Sequence, residues 1–387
     1  MNAEWWVNIK QLDDSQKHVM GLPQNRNTLV LGPPGSGKTN LLLLRANYLS
    51  KAGVPNILAV VFGRTLKEFL VRGSEQYSFP AEKITTSTKW FSDVLRDLGE
   101  ESPSFDLPFD KVRTQLIERV RAAISRRKTG PLYDVILIDE AQDFLPTEIE
   151  LFIQLSRNIF AVGDSNQKIY GGESSLDILR AQCETHTLRH HYRNGRQICR
   201  YADAIATSFP DHRSLLLNSN YSEESAKSSV VLHPGLTMAE QVVLIESELE
   251  KQLRAYPKDL LGVLCPRRAD VDFVAEALCR STIADKVVKQ SYDDGYEPFG
   301  EARICVSTIH GSKGLEFRTV HAPCMDQIRR FPRQRNLVYT LATRAKTSLS
   351  LYCAGSPPGF AESAMVAVNP LKQLPPLEAA FGEEESK

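Results

Sequence analysis

Cysteine, net charge and long apolar runs are all in short supply in this sequence. It carries 7 cysteines in 387 residues, none spaced as C-x-x-C, which argues against a zinc ribbon or disulfide framework and leaves buried thiols in a reducing compartment as the expectation. Its 47 Lys and Arg are cancelled by 47 Asp and Glu, so nucleic-acid binding must come from a local basic track rather than from global charge. No apolar stretch approaches bilayer-spanning length, and MNAEWWVNIKQLDDSQ at the start places acids where a secretion signal needs an unbroken apolar core. The expectation is a cytoplasmic protein that does not engage a membrane. No internal sequence repeat is visible.

What is present is a globular composition, 42% hydrophobic and 24% charged, on a chain too long for one ordinary core. Short β-rich runs alternate with helical patterns: TLVL (28–31), ILAVVF (57–62), DVILI (134–138) and NIFAV (158–162), then SVVLH (229–233), LLGVL (260–264), ARICVS (302–307) and TSLSLY (347–352). Such alternation predicts parallel sheets covered by helices, in two similar lobes. Val112, Leu116, Ile117, Val120 and Ile124 keep to one face of a helix and mark a helical insertion between the second and third of these strands. The Ser- and Asn-rich segment 215–229 predicts a surface loop, and the closing GEEESK a disordered acidic tail.

LVLGPPGSGKTNLLLL sets G-x-x-x-x-G-K-T between a strand and an amphipathic helix. In that setting Gly32, Pro33, Gly35, Ser36 and Gly37 form a loop whose backbone amides close on phosphate oxygens. Lys38 reaches the terminal phosphates, Thr39 can ligate Mg²⁺, and Asn40 continues the helix start. YDVILIDEAQDF supplies the second requirement, an acid at the end of a hydrophobic strand. Asp139 would hold Mg²⁺ with Thr39, and Glu140 would act as general base on the attacking water. An Asp-Glu pair after a strand can also cap a helix, but next to a phosphate loop the chemical role is favoured. The cofactors expected are therefore ATP and Mg²⁺.

Taken in order along the chain, these motifs resemble the UvrD/Rep-like branch of superfamily 1 helicases, from LDDSQKHV near the start to VYTLATRAKTSL near the end. The resemblance implies two RecA-like P-loop NTPase lobes: 1–186 with a small helical insertion at about 92–130, and 187–376, followed by the tail 377–387. It implies that Gln16 reads the adenine edge, Gln167 senses the γ-phosphate, Tyr192 stacks on adenine, Glu316 lies at the nucleotide, and Arg193 and Arg344 reach the γ-phosphate across the cleft. On the nucleic-acid side it implies Phe62 and Arg64 in VVFGRTLKEFL, Thr86, Thr88 and Trp90 in ITTSTKWF, Tyr170 after Gln167, and Thr308 and His310 in STIHGSKGLEF.

Two departures stand out. The family follows Q-x-I-Y with a Gly-Trp-Arg type of run whose Trp stacks on a base, whereas this chain has Gly171, Gly172 and Glu173. Where larger relatives insert an accessory domain, a short connector separates Leu278 from Ile304. The reading is a minimal ATP-dependent translocase or helicase on single-stranded DNA, 3′ to 5′ by resemblance, with RNA as the other possible track. The alternative is a nucleotide-dependent regulatory ATPase that controls a nuclease or other effector, for example in DNA repair or anti-phage defence. The basic runs ISRRK (124–128) and IRRFPRQR (328–335) are further candidates for a phosphate track.

Overall fold

The computed structural model describes residues 9–77, 79–128, 130–167, 174–209, 212–224, 226–290, 299–328 and 332–368. Two parallel sheets organise them. The first contains β1 (Thr28–Leu31), β2 (Ile57–Val61), β3 (Ile84–Thr86), β4 (Tyr133–Ile138), β5 (Ser156–Gly163) and β6 (Glu184–Thr187), in the order β3-β2-β4-β5-β1-β6. The second contains β7 (Ser229–His233), β8 (Leu261–Cys265), β9 (Val287–Gln290), β10 (Ile304–Thr308), β11 (Phe317–Ala322) and β12 (Ala345–Tyr352), ordered β7-β12-β11-β8-β10-β9. Every recorded pairing in both sheets is parallel. This is a two-lobed α/β RecA-like arrangement.

Parallel strands need helical crossovers. On the first lobe these are α1 (Asp14–Met20), α2 (Lys38–Lys51), α3 (Arg64–Tyr77), α4 (Ser87–Asp97), α5 (Phe109–Arg127), α6 (Pro146–Leu155) and α7 (Ser175–Gln182). On the second they are α8 (Arg196–Ile205), α9 (Met238–Ala255), α10 (Arg268–Leu278), α11 (Pro332–Arg344) and α12 (Gly359–Val368). None is long and apolar enough to cross a membrane among the described residues.

The apolar face read from Val112 to Ile124 is buried, as its helical spacing requires. It packs in one core with Leu29 and Val60 of the sheet and with Trp90 and Phe91 of α4, so the inserted helices are a layer of the first lobe. The segment at 215–229 is tied down at its start: Asp203 accepts from the amides of Leu215 and Leu216, at 2.7 and 3.1 Å. Leu215 is buried while Leu217 faces solvent. Cys199, Cys265, Cys305, Cys324 and Cys353 are buried free thiols, Cys183 is half-buried and Cys279 is exposed.

The topology decides where the sites form. In the first sheet β1, β5 and β4 are adjacent, so the phosphate loop, the segment from Asp164 to Gln167, and the Asp139–Glu140 pair all emerge from neighbouring C-terminal strand ends. The second lobe meets them differently. The N-terminal ends of β11 and β12 carry Glu316 and Arg344, whereas the C-terminal ends of β8 and β10 lead to Arg267 and His310.

Candidate active site and strand cleft

Gln16 takes its place through a capping box at the start of α1. Its amide donates to Asp13 Oδ1 at 2.8 Å, and its Oε1 accepts from the Asp13 amide at 3.0 Å. Its Nε2 then donates to Ser36 O at 3.0 Å, which fixes the start of α1 against the phosphate loop. Buried Arg45 of α2 supports the same corner by donating to the carbonyls of Met20, Leu22 and Pro23.

The loop itself needs left-handed backbone at Gly35 (φ 74°) and Gly37 (φ 81°), which glycine adopts without a Cβ clash. At Gly35 there is a second reason. A Cβ would lie 2.4 Å from Arg193 Cβ of the other lobe, and the Tyr192 amide donates to Gly35 O at 3.1 Å. Lys38 is buried, with Nζ donating to Gly32 O at 2.8 Å and Pro33 O at 2.9 Å. Burial lowers its pKa, opposed by the negative charges of Asp164 and Glu140. Asn40 is buried on the first turn of α2.

Thr39 Oγ1 donates to Asp139 Oδ2 at 2.9 Å. Burial, reinforced by the adjacent Glu140 charge, pushes Asp139 up to about 7. Glu140 is pushed up by burial too, but Lys38, Arg344 and Lys313 outweigh that and hold its carboxyl below the ordinary value. Of the pair, Glu140 is therefore the one held in its ionised form. Its backbone is left-handed (φ 49°), an uncommon conformation for a residue with a side chain, and Gln142 Nε2 donates to its Oε2 at 2.6 Å.

The second lobe closes the cluster. Arg344 is buried, donating to Gln167 Oε1 at 2.8 Å and to Leu315 O at 3.1 Å. Gln167 Nε2 donates to Thr343 Oγ1 at 3.2 Å. Arg193 donates to Thr343 O at 3.3 Å and pairs with Glu316. Burial would raise the Glu316 pKa, but Arg193, Lys346 and Arg344 pull it down to about 2. Tyr192 is partly exposed at the rim, and its hydroxyl donates to Asp13 Oδ2 at 2.6 Å.

Several buried polar atoms here have no hydrogen-bond partner: Ser36 Oγ, Asp164 Oδ2, Arg193 Nε and Arg344 Nε. Orphaned buried groups are costly and rare, and the three donors among them, Ser36 Oγ, Arg193 Nε and Arg344 Nε, fit a polyphosphate ligand, whereas Asp164 Oδ2 is an acceptor and does not. The oxygen pair of Thr39 and Asp139 fits Mg²⁺, which prefers hard oxygen donors.

A cleft of ≈ 800 Å³ opens between the lobes, lined by Phe62, Arg64 and Phe109 from the first lobe and by Arg267, Thr308 and His310 from the second, and its inner end reaches Glu140, Asp143 and Lys313 at the edge of the nucleotide cluster. Phe62 meets Phe109 edge to face, with ring centroids 6.2 Å apart. Thr308 Oγ1 accepts from the Gly311 amide at 3.0 Å. Burial, with the Lys313 charge beside it, lowers His310 to about 4, so its imidazole is neutral at physiological pH.

The segment 309–316 runs from this cleft to the nucleotide cluster. Midway along it Lys313 pairs with Asp143 and donates to Gln167 O at 2.6 Å. Gly314 allows the close approach: it is left-handed (φ 78°), and a Cβ there would meet Leu66 Cδ1 of the first lobe at 2.5 Å.

The structure brings together Gln16, the phosphate loop, Asp139, Glu140, Gln167, Tyr192, Arg193, Glu316 and Arg344, and it corrects three strand-side expectations. Trp90 is 2% exposed, donates to Tyr133 OH at 2.9 Å and packs against Phe91 and Phe152, so no face of its ring is open to a base. Thr86 is the buried N-cap of α4, its hydroxyl accepting from the Lys89 amide at 3.3 Å. Half-buried Thr88 does not line the cleft. Tyr170, Gly171, Gly172 and Glu173 lie outside the described residues.

Of the basic runs, Arg126 pairs with Glu100, and Arg335 donates to Ile205 O and lies 4.9 Å over the Phe360 ring; 329–331 are outside the described residues. Sequence reasoning missed Asp13, Gln142, Asp143, Asp164 and Lys313, although all sit within or beside the motif stretches. It also missed Phe109, Arg267 and Arg268, which carry no motif signal.

Fold and site together define two RecA-like α/β lobes with a phosphate-loop motif where they meet. Residues 16–173 match the AAA domain family, and residues 303–352 match the UvrD-like helicase C-terminal domain. Both matches agree with the UvrD/Rep-like resemblance that its motif order implies. A probable DNA helicase of Mycoplasma pneumoniae is 27% identical over 243 residues, which are 56% of this chain and 42% of that protein, so the chain spans under half the length of this relative. The C-terminal domain of a possible DNA helicase from Lactobacillus plantarum WCFS1 is 19% identical with a TM-score of 0.34, covering 46% of this chain and 96% of that one. The PRRSV helicase is 14% identical with a TM-score of 0.42, covering 87% of this chain and 54% of that one.

Proposed function

We propose that the protein is an ATP-driven motor on single-stranded DNA, with lobes at 1–186 and 187–376 that close on nucleotide and reopen after hydrolysis. The observation that carries this reading is the segment 309–316. It borders the strand cleft at His310 and the nucleotide cluster at Glu316, and Lys313 ties it to the first lobe between the two. A change in lobe spacing at one site therefore moves the wall of the other, which is what stepping requires.

In this reading the loop amides and Lys38 bind the triphosphate, and Tyr192 and Gln16 border the base. Thr39 and Asp139 hold Mg²⁺, which supplies positive charge beside the phosphates. Glu140 takes the proton of the attacking water, Gln167 positions that water's surroundings, and Arg193 and Arg344 neutralise charge as it develops. Phe62 and Phe109 offer ring faces to bases, and Arg64, Arg267, Arg268, Thr308 and His310 border the backbone path. The relative called a probable DNA helicase supports DNA as the track, and the buried free thiols suit a cytoplasmic setting. The 3′ to 5′ direction rests on family resemblance.

The test is ATP hydrolysis by the purified chain with single-stranded DNA, single-stranded RNA, duplex or no nucleic acid. Stimulation by single-stranded DNA above the other three is expected. Equal turnover in all four would sink the motor reading and favour a nucleotide switch that acts on a protein effector.

A further inference from the structure

Arg113 belongs to none of the motifs, yet it lies between the two sites. It sits on α5 and is buried. Its guanidinium pairs with Glu148 of α6, Nε donating at 3.1 Å, and its Nη2 donates to Asp143 O at 3.1 Å. Its Cζ lies over the Phe62 ring, 4.8 Å from the centroid. Phe62 is also edge-on to Phe144, with centroids 5.9 Å apart. Asp143 carries the ion pair to Lys313 of the second lobe.

A buried guanidinium needs a carboxylate partner, and Glu148 alone satisfies that. The two further contacts join a backbone carbonyl on the interface segment to an aromatic wall of the cleft. Lysine could keep the charge pair but has neither the fork nor the flat face to make all three contacts.

We infer that Arg113 is a positioning residue that ties Phe62 to the Asp143–Phe144 segment, so that the aromatic wall of the cleft follows closure of the lobes. The link to strand binding rests on the motor reading above; the mechanical link does not.

The experiment is hydrogen exchange on the full chain with and without a non-hydrolysable ATP analogue, for wild type and Arg113→Lys. Wild type gains protection at 143–146 and 62–66 together, and Arg113→Lys keeps the first response and loses the second. Responses kept together or lost together in the variant, or no paired response in wild type, overturn the inference. DNA-free ATPase within about twofold of wild type shows that the nucleotide site is intact.

Affinity for single-stranded DNA with the analogue bound gives the second arm. Arg113→Lys weakens it about five- to thirtyfold, the range of a desolvated cation–π contact, but has no further effect on a Phe62→Leu background. Equal losses on both backgrounds overturn the inference. A wild type that binds no single strand overturns the motor reading instead, and the exchange arm still decides the role of Arg113.

Discussion

The two sides of the lobe interface differ in how their residues are held. On the nucleotide side, Lys38, Asp139, Glu140, Gln167, Arg193, Glu316 and Arg344 form a linked cluster of buried or largely buried charges and amides. In the cleft proposed for the strand, the lining is of half-buried rings and exposed arginines drawn from loops and helix starts. Phosphate chemistry requires a fixed set of charges around one loop, so its residues come with fixed spacing. A strand track requires only rings and cations along a groove, so different positions can supply them.

Changes on the nucleotide side should have the largest effects. Arg344→Ala should lower kcat by ~10³-fold or more, the scale of an arginine that neutralises a transferring phosphoryl group. Glu140→Gln should lower it ~10²- to 10⁴-fold with nucleotide still bound. Single-turnover hydrolysis alongside nucleotide titration checks both, and near-wild-type turnover in either variant would remove that residue from the chemistry.

Next comes a paired test that would break the comparison if it failed. Phe62→Leu, which keeps an apolar side chain against Phe144, should weaken single-strand binding by roughly 1 to 3 kcal/mol, the worth of one stacked base, with a smaller loss of stability. Trp90→Phe should do the reverse, costing about 1 to 3 kcal/mol of stability through lost packing and the lost Tyr133 bond. If Trp90→Phe weakened strand affinity and left melting unchanged, the core assignment of Trp90 would be wrong.

Gly35→Ala sharpens the boundary between the lobes. The added methyl meets Arg193 and the left-handed backbone costs about 1 to 2 kcal/mol, so turnover should fall ~10-fold through impaired closure. An unaffected kcat would mean that closure does not bring Gly35 and Arg193 into contact.

The smallest effect at ordinary pH concerns Glu316. Its pKa is depressed from 4.5 to about 2, against burial, by Arg193, Lys346 and Arg344. The stability it contributes is fully present above about pH 4.5 and is lost as pH falls through 2, by linkage on the order of a few kcal/mol. Melting curves from pH 5 to 2.5 should show a steeper loss for wild type than for Glu316→Gln. Parallel slopes would argue that the pair with Arg193 is not formed in solution.

Legibility in the sequence followed the same divide. The eight strands read from apolar runs are all present, but β3, β6, β9 and β11 were not anticipated. β6 is a polar edge strand, E-T-H-T, with no buried side to create a pattern. β11 lies inside its sheet, yet it carries Arg318, Thr319 and His321. There Thr319 and His321 are buried because Gln252 of α9 and Tyr352 of β12 satisfy them, a partnership invisible along the chain. Trp90 and Thr86 looked like strand contacts because their motif sits beside the right strand. Whether a ring faces a groove or a core depends on which helix covers it, and α5 and α6 cover Trp90.

By itself the sequence determined the alternating α/β architecture and the phosphate-loop motif between β1 and α2, because strand periodicity and loop spacing are local. Tertiary structure alone decided which rings line the cleft, why Gly35 and Gly314 must lack a Cβ, and that Arg113, outside every motif, links Phe62 to the Asp143 segment. Those are properties of contacts between segments far apart in the chain, which neither composition nor spacing encodes.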